Sequence, residues 1–109
     1  MSFSLAAVVP SYNHYRHIDK VIEALKGQGL RVFIIDDGSR EPAKSALEKY
    51  HDPARGVTLH RQPENGGKGA AVTAGFRLAA AEGFTHALQV DADGQHDTAA
   101  LPALIQLAM

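Results

Sequence analysis

Two periodicities alternate along this chain, and their alternation restricts the fold more than any other feature. Residues 4–9, SLAAVV, form a short unbroken apolar run closed by Pro10, the pattern of a strand buried on both faces. In YRHIDKVIEALKGQG (15–29), Ile18, Val21, Ile22 and Leu25 then recur at i, i+3, i+4 and i+7, which is one face of a helix. Gly27 and Gly29 close it as C-terminal caps. The exchange repeats through RVFIID (31–36), a strand, and AKSALEKYH (43–51), a short helix with Ala43, Ala46, Leu47 and Tyr50 on one side. VTLHR (57–61) is a third strand, GKGAAVTAGFRLAAAEG (67–83) an alanine-rich helix closed by Gly83, and THALQVDAD (85–93) a fourth strand.

Strict strand–helix alternation with short connections predicts βαβ crossovers, hence an α/β fold: a Rossmann-like parallel sheet with helices on both faces. Ligands of such sheets sit outside the carboxyl ends of the strands. Four segments fall there: PSYNH, DDGSRE, QPENGGKG and DADGQHD. All are polar or glycine-rich, whereas the opposite connections, KGQGL and AAEGF, read as simple caps.

The last of the four is the most concentrated in chemistry. Asp91 and Asp93 are two residues apart, so an extended backbone through Asp93 projects both carboxylates to one side. Adjacent carboxylates in a partly dry cleft repel unless one is protonated or a cation lies between them. Mg2+ or Mn2+ answers that need with oxygen ligands, and Gln95 offers a third oxygen. Acids and a glycine after a strand are also ordinary turn formers, so the pair alone leaves both readings open.

Asp36, Asp37 and Ser39 close the second strand, where a carboxylate can accept from ribose hydroxyls or a base N–H, or cap the next turn. NGGKGAA puts three glycines and Lys68 before a helix N-terminus, where free amides, the dipole and an ammonium favour a phosphate. A solvated glycine turn is the competing reading. The segment is neither a Walker loop, lacking glycine at Gln62 and a hydroxyl at Gly69, nor a Rossmann fingerprint, which fails at Val72. The six histidines, at 14, 17, 51, 60, 86 and 96, show no zinc spacing and read as surface or packing residues, with His96 set apart by its acidic loop.

Composition removes several classes of function. A formal net charge of -1 supplies no general attraction for nucleic acid or an anionic membrane, so phosphate binding must come from local groups. The absence of cysteine excludes disulfides and thiolate zinc sites and fits a cytoplasmic setting. No segment reads as a signal peptide or a membrane span.

Taken together, VVPSYNH, FIIDDGS, ENGGKGAAV and QVDADGQHD resemble the successive signatures of family 2 glycosyltransferases of the GT-A fold. The likeness is greatest to dolichyl-phosphate mannose synthases and related polyprenyl-phosphate glycosyltransferases. The resemblance runs over nearly the whole chain and implies a strand order of 3-2-1-4. It implies that Pro10, Tyr12 and Asn13 lie against a nucleotide base, that Asp37 binds base or ribose, and that Lys68 approaches the diphosphate. Asp91 and Asp93 become the D-x-D pair that holds the nucleotide-sugar and its Mg2+ or Mn2+, with Gln95 as a third metal ligand. The implied reaction is inverting transfer of a sugar from a UDP- or GDP-sugar to an acceptor such as a polyprenyl phosphate.

On this reading residues 1–109 are the donor-binding part of a glycosyltransferase domain truncated at its C-terminus, with no catalytic base and no transfer activity of its own. The complete protein is expected on the cytoplasmic face of a membrane. LPALIQLAM is expected to begin a fourth helix near Pro102 and to leave the fourth strand as an open edge, favouring self-association. VDADG also resembles the start of haloacid-dehalogenase-type phosphohydrolases, with Asp91 as nucleophile and Asp93 as acid/base. In those enzymes the motif follows the first core strand, and here three strands precede it. A non-catalytic nucleotide-binding fragment is the third reading.

Overall fold

A computed structural model of the chain describes residues 4–13, 15–90 and 104–106, the side chain of Lys68 and those of 104–106 excepted. The expected alternation is present as β1 (Leu5–Ser11), α1 (Ile18–Gly27), β2 (Arg31–Asp36), α2 (Ala43–Glu48), β3 (Val57–Arg61), α3 (Lys68–Ala81) and β4 (His86–Gln89). A 3-10 turn at Pro53–Arg55, which the apolar pattern does not signal, leads into β3.

The strands form one sheet in the order β3-β2-β1-β4, all parallel, as the resemblance implies. A further strand, β5 (Leu104–Gln106), pairs antiparallel with β4 through Leu88↔Leu104, Ala87↔Ile105 and His86↔Gln106. Two expectations are corrected by this pairing. Leu104–Gln106 is a strand instead of part of a helix, and β4 is not an open edge through which copies could pair. The leucine spacing after Pro102 fits either element; the unpaired edge of β4 decides it, because backbone donors and acceptors there need partners.

Side chains alternate across β1 and β2 and build a core on each face. On one face Ala7, Val9, Val32 and Ile34 pack against Ile18, Ile22 and Leu25 of α1 and Leu47 of α2. On the other, Ala6, Val8, Phe33 and Ile35 meet Ala71 and Ala79 of α3. The small residues of α3 let it lie close to the sheet: a Cβ on Gly75 would collide with Val8 Cγ1 and come within 3.1 Å of Ile35 Cγ1.

The amino-terminal pole of the sheet is closed by side chains. Arg31 donates to Thr58 Oγ1 at 2.6 Å and to both carboxylate oxygens of Glu82 at 3.2 Å, while its guanidinium carbon sits 4.5 Å from the centre of the Phe33 ring. Ser4 and Thr85 exchange hydrogen bonds of 2.8 to 3.0 Å between β1 and β4. The outer edge of β3 is partly covered as well, since Leu59 N–H donates to His51 Nδ1 at 2.9 Å.

Among the described residues no helix is long and apolar enough to cross a membrane.

Candidate functional site

The direction of the sheet reverses at β1: β2 and β3 lie on one side of it and β4 on the other. Such a switch point opens a crevice at the carboxyl ends of the strands. In β1 the Val8 carbonyl accepts from Val90 N–H at 3.0 Å, and the Ser11 carbonyl from Asp37 N–H at 2.8 Å. Alternate residues of β1 therefore face β4 and β2 in turn, and Pro10 falls on the β4 side. Proline has no N–H to donate, so the β1–β4 ladder cannot continue through it. Paired register with β4 ends at Val8↔Gln89, whereas that with β2 continues to Ser11↔Asp36.

Three loops meet beside this opening. Pro10 itself is buried in the strand opposite Ile35. Tyr12, just beyond the strand, is 37% exposed, the large hydrophobic side chain left open to solvent among the described residues. Asn13 follows in a left-handed conformation, φ 58°, which asparagine tolerates better than most residues. Its amide donates to Ser39 Oγ and its side-chain oxygen accepts from Arg40 N–H, both at 2.8 Å. The loops after β1 and β2 are thus fastened together.

The two adjacent acids that close β2 have separate duties. Asp36 has no exposed surface. Its Oδ1 accepts from Ser39 N–H at 2.8 Å and its Oδ2 from Arg61 Nε at 2.9 Å, so the turn-forming role anticipated for this segment belongs to Asp36. Asp37 points to the loop after β3: Oδ1 accepts from Gly66 N–H at 3.0 Å and Oδ2 from Gly67 N–H at 2.9 Å. Gly67 N–H also reaches Asn65 Oδ1 at 2.9 Å. The glycine amides that the sequence offers to an anion hold one here, and it is the chain's own carboxylate. Gly38 lets these loops approach. It has φ +80°, and a Cβ there would lie 2.8 Å from Asn65 N.

Arg61 is the polar residue that sequence reasoning missed. It stands opposite Asp36 in the β2–β3 register and also donates to Glu48 Oε1 at 2.9 Å and the Lys44 carbonyl at 3.0 Å. The hydrogen bond to Asp36, with help from Glu48, holds its guanidinium above the ordinary arginine value. An available signal was its place at the end of the strand beside one that ends in a buried acid.

Of the anticipated site residues, the structure brings Tyr12, Asn13 and Asp37 to one rim. Lys68 is the first residue of α3, just after that rim, and its side chain lies outside the described residues. Asp91, Asp93, Gln95 and His96 also lie outside them. The last described position before the D-x-D pair is Val90, held at the β1 edge. Among the described residues no three metal-ligating side chains come together. His51, His60 and His86 each bond to a neighbouring group, as packing histidines do.

A parallel sheet with this switch point, rimmed by polar and glycine-rich loops, belongs to the open α/β class that takes ligands outside its strand ends. The particular member is defined by comparison: the chain belongs to glycosyl transferase family 2, whose model matches residues 6–109. It is 31% identical over 104 residues to a dolichyl-phosphate beta-glucosyltransferase of Trichomonas vaginalis, a match over 85% of this chain and 31% of that protein. It is 26% identical over 102 residues to polyprenol monophosphomannose synthase of Mycolicibacterium smegmatis, over 90% of this chain and 38% of that protein. The chain therefore spans well under half the length of these curated relatives. Its fold is similar to that of a mannosyltransferase from Pyrobaculum calidifontis solved with GDP-Man and Mn2+, with a TM-score of 0.67 and 24% identity over 82% of this chain and 27% of that one. The expected fold and family are borne out, and the phosphohydrolase alternative is not favoured.

Proposed function

We propose that residues 1–109 form the donor-binding part of a glycosyltransferase that moves a sugar from a UDP- or GDP-sugar to an acceptor of the polyprenyl-phosphate kind, with inversion at the anomeric carbon. The observation that carries this reading is the convergence of Tyr12, Asn13 and Asp37 with the Gly66–Gly67 loop beside the β1–β4 opening. In sequence the D-x-D segment begins at Asp91, immediately after Val90, whose N–H is bonded to β1. The names of the relatives in glycosyl transfer to lipid phosphates support the acceptor class.

In this reading Tyr12 presents its ring to the base and Asn13 lines the same wall, with Pro10 buried behind them ending the β1–β4 ladder. Asp37 has acceptor capacity beyond its two amide bonds, since an ionised carboxylate offers about four lone-pair directions, and turns it to the base or ribose. Lys68, at the start of α3, approaches the diphosphate. Asp91, Asp93 and Gln95 form an all-oxygen donor set, which suits Mg2+ or Mn2+. When bound, such an ion would offset the negative charge gathering on the departing nucleoside diphosphate. A lipid-phosphate acceptor would place the complete protein at the cytoplasmic face of a membrane.

Calorimetry with UDP and GDP, with Mn2+ or with excess chelator, tests the assignment. Binding is expected only with the cation and is expected to be lost in Asp93→Ala. Equal binding in chelator would overturn it.

A further inference from the structure

The proposed donor site rests on a bonded path that begins outside it, and we infer that Arg61 is its positioning residue. Arg61 donates to Asp36, Asp36 accepts from the Ser39 amide, and the Ser39 hydroxyl accepts from the Asn13 amide, at 2.9, 2.8 and 2.8 Å. The path runs from the end of β3 to the loop after β1, through residues next in sequence to Asp37 and Tyr12. This inference depends on the donor-site reading given above.

Each link has a physical reason. Asp36 is fully buried, and burying a carboxylate is costly unless its lone pairs are filled and a counter-charge is at hand. Arg61 supplies the charge and anchors it, because a planar guanidinium can hold several acceptors in fixed directions. Its other two nitrogens are tied to Glu48 and to the Lys44 carbonyl in α2, so the orientation of Asp36 is set by three elements at once. Asp36 in turn fixes Ser39, and the Ser39 hydroxyl holds Asn13 in its left-handed conformation. Arg61 keeps 28% of its side-chain surface and is assigned no contact with the donor. Its effect on binding is transmitted through the loop that carries Tyr12 and Asn13.

The path predicts a selective defect. Loosening it should weaken recognition of the base while sparing recognition of the diphosphate. Arg61→Lys retains the charge opposite Asp36 but a single ammonium cannot hold all three partners; Ser39→Ala removes only the acceptor for Asn13, and Ser39→Thr restores it. The probes are UDP, GDP and pyrophosphate, each titrated with Mn2+ into the whole chain, with hydrogen exchange of the Asn13 amide measured alongside. Arg61→Lys and Ser39→Ala should each lose roughly five- to tenfold in nucleoside diphosphate affinity, the effect of about one hydrogen bond. Pyrophosphate affinity should be unchanged, Asn13 exchange should be faster, and Ser39→Thr should behave like the parent. A purely structural role would lower the melting temperature and leave the ratio of nucleotide to pyrophosphate affinity intact, which overturns the inference. If the parent chain binds neither UDP nor GDP, the donor-site reading fails by itself. The Asn13 exchange rate in Arg61→Lys then still decides the path: acceleration upholds it and an unchanged rate refutes it.

Discussion

The carboxylate of Asp37 accepts the backbone amide of Gly67 at 2.9 Å across 30 positions of sequence, and through that bond the loop after β2 determines where α3 begins. Its other oxygen takes the amide of Gly66. Asp37→Asn keeps one acceptor and turns an NH2 group toward the second amide, so one part-buried donor is left opposed. The expected cost is about 1–3 kcal/mol of folding stability, measured by denaturant unfolding. An unchanged midpoint would mean that water replaces the carboxylate without loss.

Tyr12 can be tested with little disturbance to the fold, because it is an exposed residue of the rim. Tyr12→Ala is expected to weaken UDP or GDP binding by about 1–3 kcal/mol, the usual scale of stacking between a base and an aromatic side chain, and to leave thermal unfolding nearly unchanged. Tyr12→Phe should bind like the parent. Calorimetry and a melting curve for each variant check both halves of the statement.

The start of α2 is expected to loosen in acid. The carboxylate of Glu41 accepts the Ser45 amide at 2.7 Å and the Ser45 hydroxyl at 2.5 Å. The bond to the Ser45 side chain, then that to its amide, holds this carboxyl below its ordinary value of 4.5. A lowered folded pKa means that the stabilisation is complete above the ordinary value and is lost as the pH falls through the folded one. Amide exchange at Ser45, corrected for the intrinsic rate, should therefore rise on acidification below pH 4.5. In Glu41→Gln that pH dependence should vanish.

Gly75 sets how closely α3 lies on the sheet. Gly75→Ala puts a methyl group where Val8 Cγ1 already stands and is expected to destabilise by about 1–3 kcal/mol through overpacking, despite the better helix propensity of alanine. Adding Val8→Ala should recover part of that loss, since the two changes compensate in volume. Strictly additive effects of the two substitutions in a double-mutant cycle would show that the contact does not couple them.

What the sequence made legible is what local pattern governs. RVFIID is a strand over the full span anticipated, because an unbroken apolar run bounded by Gly29 and by Asp36-Asp37-Gly38 leaves little choice. The strand order and the rim positions of Tyr12, Asn13 and Asp37 followed from the family likeness together with the rule for strand ends. Partnerships were not legible. Nothing near Asp36 in the chain marks Arg61, 25 residues away, and nothing near Asp37 shows that it would take the glycine amides intended for an anion. Leu104–Gln106 was misread because apolar spacing in a short segment cannot tell helix from strand, and the free edge that decided the matter belongs to β4.

The two poles of the sheet also differ in how freely they could be rebuilt. At the turn between α1 and β2, Gln28 and Gly29 donate only to carbonyls of the helix just ended, Leu25 and Lys26. After α3 the Gly83 N–H also donates to the helix just ended, at the Ala80 carbonyl, but Glu82 is tied to Arg31 and Thr85 to Ser4 on either side of it. At the opposite rim the described loops, those after β1, β2 and β3, are fastened to one another. New segments, a tag or a graft, belong at Gln28–Gly29, where a lengthened connection disturbs one helix end, whereas a single residue added between Asp37 and Ser39 would pull on three loops together.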